Sequence, residues 1–186
     1  FSSFVDAAII AERVFEIDPS SCAANCRRAM EFAIKWMYSV DKTLKKPYQE
    51  TLSSLMSADD FHDIVDDDLW KRLDLIRKIG NRAIHSESKP VSRDEAILCL
   101  KNLHIFFDFI YYCYGDNYKE VAFDESLLSG DKLYDMPFAF SNVNFAAIKD
   151  VKLKDIKLDT MITKNKVYSA ELTQRRVAKH DNYVPK

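Results

Sequence analysis

Glycine and proline are scarce in this 186-residue chain, at three and five residues. A β-sandwich or barrel needs many more of both at its chain reversals, so the shortage favours helices. Charge of one sign is also missing, because 27 Lys and Arg nearly balance 29 Asp and Glu for a formal net charge of −2. No global positive field draws the chain to nucleic acid or a membrane surface, and any such contact has to come from a local patch. Cys22, Cys26, Cys99 and Cys113 include no CxxC pair and no matching His/Cys pair, which removes the usual zinc-ligand spacings. They lie in apolar helical patterns and read as buried free thiols of a reducing cytosol. Phosphate loops of the GxxxxGK[ST] form and hydrolase nucleophile elbows are absent. Phe1-Ser-Ser-Phe carries no basic flank and soon meets Asp6 and Glu12, so no secretory signal is expected and the location implied is cytoplasmic. A chain that starts without Met and ends on Pro185-Lys186 reads as a piece excised from a longer protein.

What is present is helical periodicity. Phe4, Ala7, Ala8, Ala11, Val14 and Phe15 recur at helical spacing and predict a first helix over 3–17. Asp18-Pro19 is a start signal, Asp18 as N-cap and Pro19 at the first helical position. The apolar face that follows runs from Ala23 to about Val40, with small residues that permit close approach of a neighbour. A short helix or turn is expected at 50–56. Six Asp then fall within ten positions, 59–68, around His62. They lack the Gly bend of a cation loop, so they read as an acidic loop feeding the N-terminus of the next helix.

That next helix, Leu69 to His85, carries an apolar stripe of Leu69, Leu73, Ile76, Gly80, Ala83 and Ile84. Gly80 costs about 1 kcal/mol of helix propensity relative to Ala, and its expected use is a close helix crossing. Ser92-Arg93-Asp94-Glu95 fits a capping box for a last helix ending at Tyr114, with Gly115 as C′ residue. Its second half, Phe106 to Tyr114, is apolar nearly all round and needs cover from the bundle, the C-terminal arm or a second copy, making helix 93–114 a candidate homodimer surface. Lys101, Asn102, His104 and Asp108 interrupt it, so no membrane span is expected. The fold class read here is all-α, an up-and-down bundle of four main helices over 1–115. An arm or linker follows over 116–186, with a brief strand-like alternation at 151–158 and a polar helix at 164–180. From Lys149 onward, ten Lys and Arg face five Asp and Glu, a basic arm that would be solvated, docked on acidic neighbours or laid on nucleic acid.

The strongest chemical constellation is Arg77, Asn81 and His85, spaced i, i+4, i+8 and therefore in one row. A metal-free ribonuclease needs an imidazole near neutral pH and a cation for the developing phosphorane charge. The competing reading is a polar seam in which Asn81 and His85 bond to an adjacent helix. Acid-x-Lys tripeptides at 87–89, 150–152 and 155–157 are near chance as nuclease signals. No residue of the chain is assigned to a metal or cofactor.

The run LDLIRKIGNRAIH, the upstream SSCAANCRRAMEFAIKWMY with Arg27-Arg28-Ala29-Met30-Glu31-Phe32, and the closing FFDFIYYCYG together resemble a family. It is the all-helical domain of the HEPN superfamily found at the N-terminus of type I restriction endonuclease R subunits. The resemblance covers about 3–115, and the ending ELTQRRVAKHDNYVPK is similar in style to the connector leading to the nuclease domain of those subunits. It implies a non-catalytic module of a prokaryotic defence enzyme that docks to other subunits of a restriction-modification complex or to DNA. ATP and Mg would serve the motor and nuclease of the longer parent. Active HEPN ribonucleases resemble one another in an R-N-x-x-x-H motif. Asn81 and His85 fit it, but Gly80 stands at the Arg position, while Arg77 and Arg82 are displaced from it. A ribonuclease built on His85 and Asn81 with Arg77 or Arg82 is the enzyme alternative, and a stand-alone dimerisation module is the third.

Overall fold

A computed structural model describes residues 2–85, 89–128, 158–180 and Tyr183. The described chain is all-helical, with seven α-helices: α1 (Ser2–Val14), α2 (Pro19–Val40), α3 (Leu52–Met56), α4 (Asp59–His62), α5 (Asp67–His85), α6 (Arg93–Tyr114) and α7 (Leu158–Lys179). A 3₁₀ turn spans Glu125–Leu128. The expected alternation at 151–157 and the tripeptide positions at 87, 88, 150–152 and 155–157 lie outside the described residues. Leu158 opens α7 instead of closing a strand.

The starts of α2 and α6 follow from local chemistry. Asp18 Oδ1 accepts from Ser20 N at 2.9 Å with Pro19 in the first turn. Ser92 and Glu95 form the reciprocal capping box. Contacts at matching ends give the topology. Phe4 of α1 meets Trp36 near the far end of α2, the Gly80 turn of α5 lies on Ala23 and Arg27 of α2, and Trp36 stacks edge-on to Tyr114 of α6. Helices α1, α2, α5 and α6 thus alternate in direction, with α2 and α6 parallel. The α2-to-α5 connection carries α3 and α4. The acidic stretch is therefore no plain loop, because its first four residues make a helical turn that buries Phe61. At the other end, Asp66 Oδ1 caps α5 by accepting from Leu69 N at 2.7 Å. The four cysteines are buried free thiols.

α6 is the core helix, buried from Ala96 to Tyr114 on most of its surface. It is the one helix among the described residues long and apolar enough to cross a bilayer, and 67% of that window is buried by the rest of the fold. The cover its second half requires comes partly from the chain's own arm, since α7 packs on α6 and α2 and buries Leu172. Gly115 ends α6 as expected, with φ −77° and ψ 157°. Its lack of a side chain serves close approach, because a Cβ there would fall 2.3 Å from the Tyr111 ring.

α7 docks across the C-terminal ends of α2 and α6, where unpaired carbonyls concentrate negative potential. Arg175 Nη1 donates to Tyr114 O at 2.7 Å, Lys179 Nζ to Gly115 O at 3.3 Å, and the hydroxyls of Ser169 and Thr173 to Val40 O. Beneath them lies a buried ion pair, Arg176 Nε to Asp41 Oδ2 at 2.8 Å. Tyr114 Oη donates to the same oxygen at 2.9 Å, and Thr43 N and Oγ1 supply the other at 3.0 and 2.7 Å. Burial alone would raise the Asp41 pKa, but the hydrogen bonds from Arg176 and Thr43 outweigh it and hold it low. Arg175, Arg176 and Lys179 of the arm are thus spent on the bundle.

Two expected outcomes follow from buried charges. Arg176→Ala strands Asp41 and lowers stability by about 3 kcal/mol in urea unfolding, with faster tryptic cleavage of α7. A carboxylate whose folded pKa is depressed stabilises above its unfolded value of about 4, and that contribution fades as pH falls through the folded value. The Arg176→Ala deficit should therefore shrink below about pH 4. Glu12 behaves oppositely. It is 5% exposed on α1, and desolvation raises its pKa to about 7. The folded state then holds a proton that the unfolded state has released, so stability falls as pH rises from about 4.5 to about 7. Glu12→Gln is expected to stabilise by roughly 3 kcal/mol at about pH 8 and by little near pH 4, read by urea unfolding at both pH values.

Candidate functional site

α5 is positioned by three constraints along its length. Asp67 and Asp68 in its first turn oppose the positive end of the helix dipole. Leu69, Leu73, Ile76 and Ile79 are buried in the core. At Gly80 the helix meets α2 so closely that an added Cβ would lie 2.5 Å from Arg27 Cβ and 3.0 Å from Ala23 O. The close crossing expected of Gly80 is there. Ala83 is half-buried, whereas Ile84, counted in the apolar stripe, is 53% exposed.

This crossing sets where the polar residues point. With α2 over Gly80 and α6 taking the face of Arg72 and Arg82, the row Arg77, Asn81, His85 is turned toward the open side of α5. Arg77 is half-buried and fastened to its own helix, donating from Nε and Nη2 to Asp74 Oδ1 at 3.0 and 2.7 Å. Lys78 Nζ takes the other Asp74 oxygen at 2.7 Å. Burial would raise the Asp74 pKa, but its hydrogen bonds to Lys78 and Arg77 keep it low. Asn81 is half-buried and His85 exposed in the last turn, and neither makes a hydrogen bond among the described residues. Among the described residues, the side chains of Asn81 and His85 therefore do not form the polar seam expected of them. The seam lies one position away, on Gly80, because a helix turns 100° per residue and only one narrow strip can face α2.

The arginines that do reach between helices are others. Arg82 Nη2 sits 2.5 Å from Glu95 Oε2 of α6. The N–H is poorly aimed, so the contact is an ion pair more than a directed hydrogen bond. The Ser92 backbone N–H, with the Arg82 guanidinium second, lowers the Glu95 pKa. Arg27 Nη1 pairs with Glu31 Oε2 at 3.4 Å. Arg27 and Arg82 each keep a buried Nε–H with no acceptor among the described residues. Arg72 Nη1 donates to the buried Asn102 at 3.1 Å. The face holding His85 thus carries an accessible imidazole and an amide, while its nearest row member of positive charge is neutralised by Asp74.

Sequence reading missed two other titratable centres. Glu12 gave no signal because one acid in a short amphipathic helix usually faces water. His104 and Asp108 looked like interruptions of an apolar helix, yet their i, i+4 spacing already placed them on one face. His62 among its acids stacks on Trp70 with ring centroids 4.9 Å apart. No cluster of three or more His, Cys, Asp or Glu arranged to hold a metal occurs among the described residues.

Among known protein families, the model described as "Domain of unknown function (DUF4145)" matches residues 10–130, from within α1 to just past the 3₁₀ turn. No curated protein and no solved structure matches the chain.

Gly80 is the position whose substitution separates packing from propensity. Gly80→Ala gains about 1 kcal/mol of helix propensity but forces the Cβ of Arg27 and the α2 backbone apart, at a cost of about 2 kcal/mol. Net destabilisation is expected in thermal unfolding, and a stabilised Gly80→Ala would disprove the close crossing.

Proposed function

We propose, for a chain that belongs to the DUF4145 family, the role of a non-catalytic docking module at the N-terminus of a type I restriction endonuclease R subunit. The parent would translocate and cut DNA with ATP and Mg, using motor and nuclease parts beyond Lys186. The module would hold other subunits of the restriction-modification complex, or DNA, in the cytoplasm. The observation that carries the non-catalytic part is the fate of the cations near His85. Gly80 stands at the position where an R-N-x-x-x-H site has Arg, Arg77 is clamped to Asp74, and Arg82 points to Glu95 on another face. General acid–base cleavage of RNA needs a charge for the phosphorane oxygens beside the imidazole, and among the described residues of one chain none is poised there. The restriction host rests on the resemblance of the α2 and α5 segments and the aromatic end of α6.

One observation favours the second reading, a HEPN-type metal-independent ribonuclease. His85 is exposed and Asn81 has no partner among the described residues, so a second copy bringing an arginine would complete a site.

Incubating the purified chain with structured and single-stranded RNA, with and without EDTA, decides between them. No cleavage is expected. EDTA-resistant cleavage that disappears in His85→Ala would overturn the docking role and establish the nuclease. The host is tested by the coding frame after Lys186, where a helicase-type phosphate loop is expected and an immediate stop would refute it.

A further inference from the structure

Along the middle of α6, a half-open cavity of about 390 Å³ lies between that helix, the irregular segment after it and Tyr183. We propose that this cavity binds an organic cation, an ammonium or guanidinium group on an alkyl stem, with Asp108 as its counter-charge. The proposal goes beyond the docking role and stands without it.

Asp108 and His104 are one turn apart on α6, so both line the same wall. The Asp108 carboxylate accepts from Tyr118 Oη at 2.9 and 3.0 Å and from Tyr183 Oη at 3.2 Å. All of these donors are neutral. Three other carboxylates held in the bundle meet a cation: Asp41 has Arg176, Asp74 has Arg77 and Lys78, Glu95 has Arg82. Asp108 has no ion pair with any lysine or arginine among the described residues, although it is held in a cavity wall. Its carboxyl pKa is raised, first by burial, with the tyrosine hydrogen bonds working against that rise. His104 does not supply the missing charge, since burial lowers its pKa and leaves the imidazole neutral at pH 7. A carboxylate fixed by two hydroxyls and lacking a counter-ion is an arrangement that a bound cation completes.

The walls fit the same ligand. Phe123 and Tyr183 line the cavity with aromatic rings, whose faces attract cations. Phe123 already serves one: Lys101, itself part of the lining, has its Nζ 5.9 Å from the ring centroid and paired with Glu125 at 2.9 Å. Glu120 adds a second carboxylate to the lining, and the lining Lys101 is already paired with Glu125, so the wall disfavours an anion. The volume exceeds that of an ammonium or guanidinium head and accommodates its stem. Two sources carry this chemistry, a free diamine-type metabolite or a basic side chain presented by a partner protein.

Calorimetric and NMR titrations of the full chain with agmatine, and with a short capped peptide bearing one arginine, test the site. Saturable binding is expected, with amide shifts centred on 104–108 and 118–123 and no response to capped glutamate. Tighter binding of agmatine identifies a free cation as the source, and tighter binding of the peptide a partner side chain. Asp108→Asn keeps the shape and the tyrosine contacts and is expected to weaken binding about tenfold or more. If that variant does not fold, Phe123→Leu, outside the helices, carries the test with an expected loss of about threefold. No binding at about 10 mM of either probe, a working value set by the weak end of the affinity scale, overturns the proposal. Unchanged affinity in the folded Asp108→Asn, or in Phe123→Leu, overturns it equally.

Discussion

The close passage of α2 over Gly80 is the constraint on which the rest of the molecule turns. Two helices normally pack 8–10 Å apart, separated by their side chains. Here one side chain is missing on α5, and Arg27 and the Ala23 carbonyl occupy the space. That contact sets the rotation of α5 about its own axis. Once Gly80 faces α2, Arg72 and Arg82 must face α6, and Arg77, Asn81 and His85 must lie toward the open side. A rotation by one residue would bury Asn81 and expose Gly80. The helical pattern tolerates that; the packing does not.

Charge placement at the other end of the bundle follows a different logic. The C-termini of α2 and α6 run parallel and finish side by side, so their unpaired carbonyls create one negative surface. α7 answers it with Arg175, Arg176 and Lys179, and Asp41 converts the attraction into a specific buried pair. A buried ion pair contributes less to stability than its Coulomb energy suggests, because both charges leave water. Its effect is directional: α7 has one register in which Arg176 finds Asp41 while Thr173 finds Val40 O.

Three buried or half-buried acids show how environment separates one residue class into different roles. Asp41 has a guanidinium and stays ionised. Glu12 has no compensating charge and holds its proton up to about pH 7. Asp108 lies between, satisfied by tyrosine hydroxyls but not neutralised, and it is the one of the three that faces a cavity. Glu12 is enclosed by α1 and α2 and has stability consequences alone. Exposure to a cavity, not the altered acidity, is what makes Asp108 a binding group.

Much of the architecture was legible in the residues. The periodicity of α1, α2, α5 and α6 and the Asp18 and Ser92 caps follow from interactions within a few residues of sequence, which local chemistry determines, and a glycine in the apolar stripe of α5 marked the crossing. The all-helical class follows likewise. Other features depended on which surfaces meet. The Asp-rich stretch folds into a turn because Phe61 finds the core. Gly115 is needed for closeness to Tyr111. The polar row on α5 was readable as a row, but the side it faces was decided by α2, which among the described residues cancels the seam expected of Asn81 and His85. The docking of the arm, the Asp41–Arg176 pair and the contact of Tyr183 with Asp108 join residues 61 to 135 positions apart. Spacing along a chain carries no record of such pairs, since only the folded core brings them within the few ångströms over which hydrogen bonds and ion pairs act.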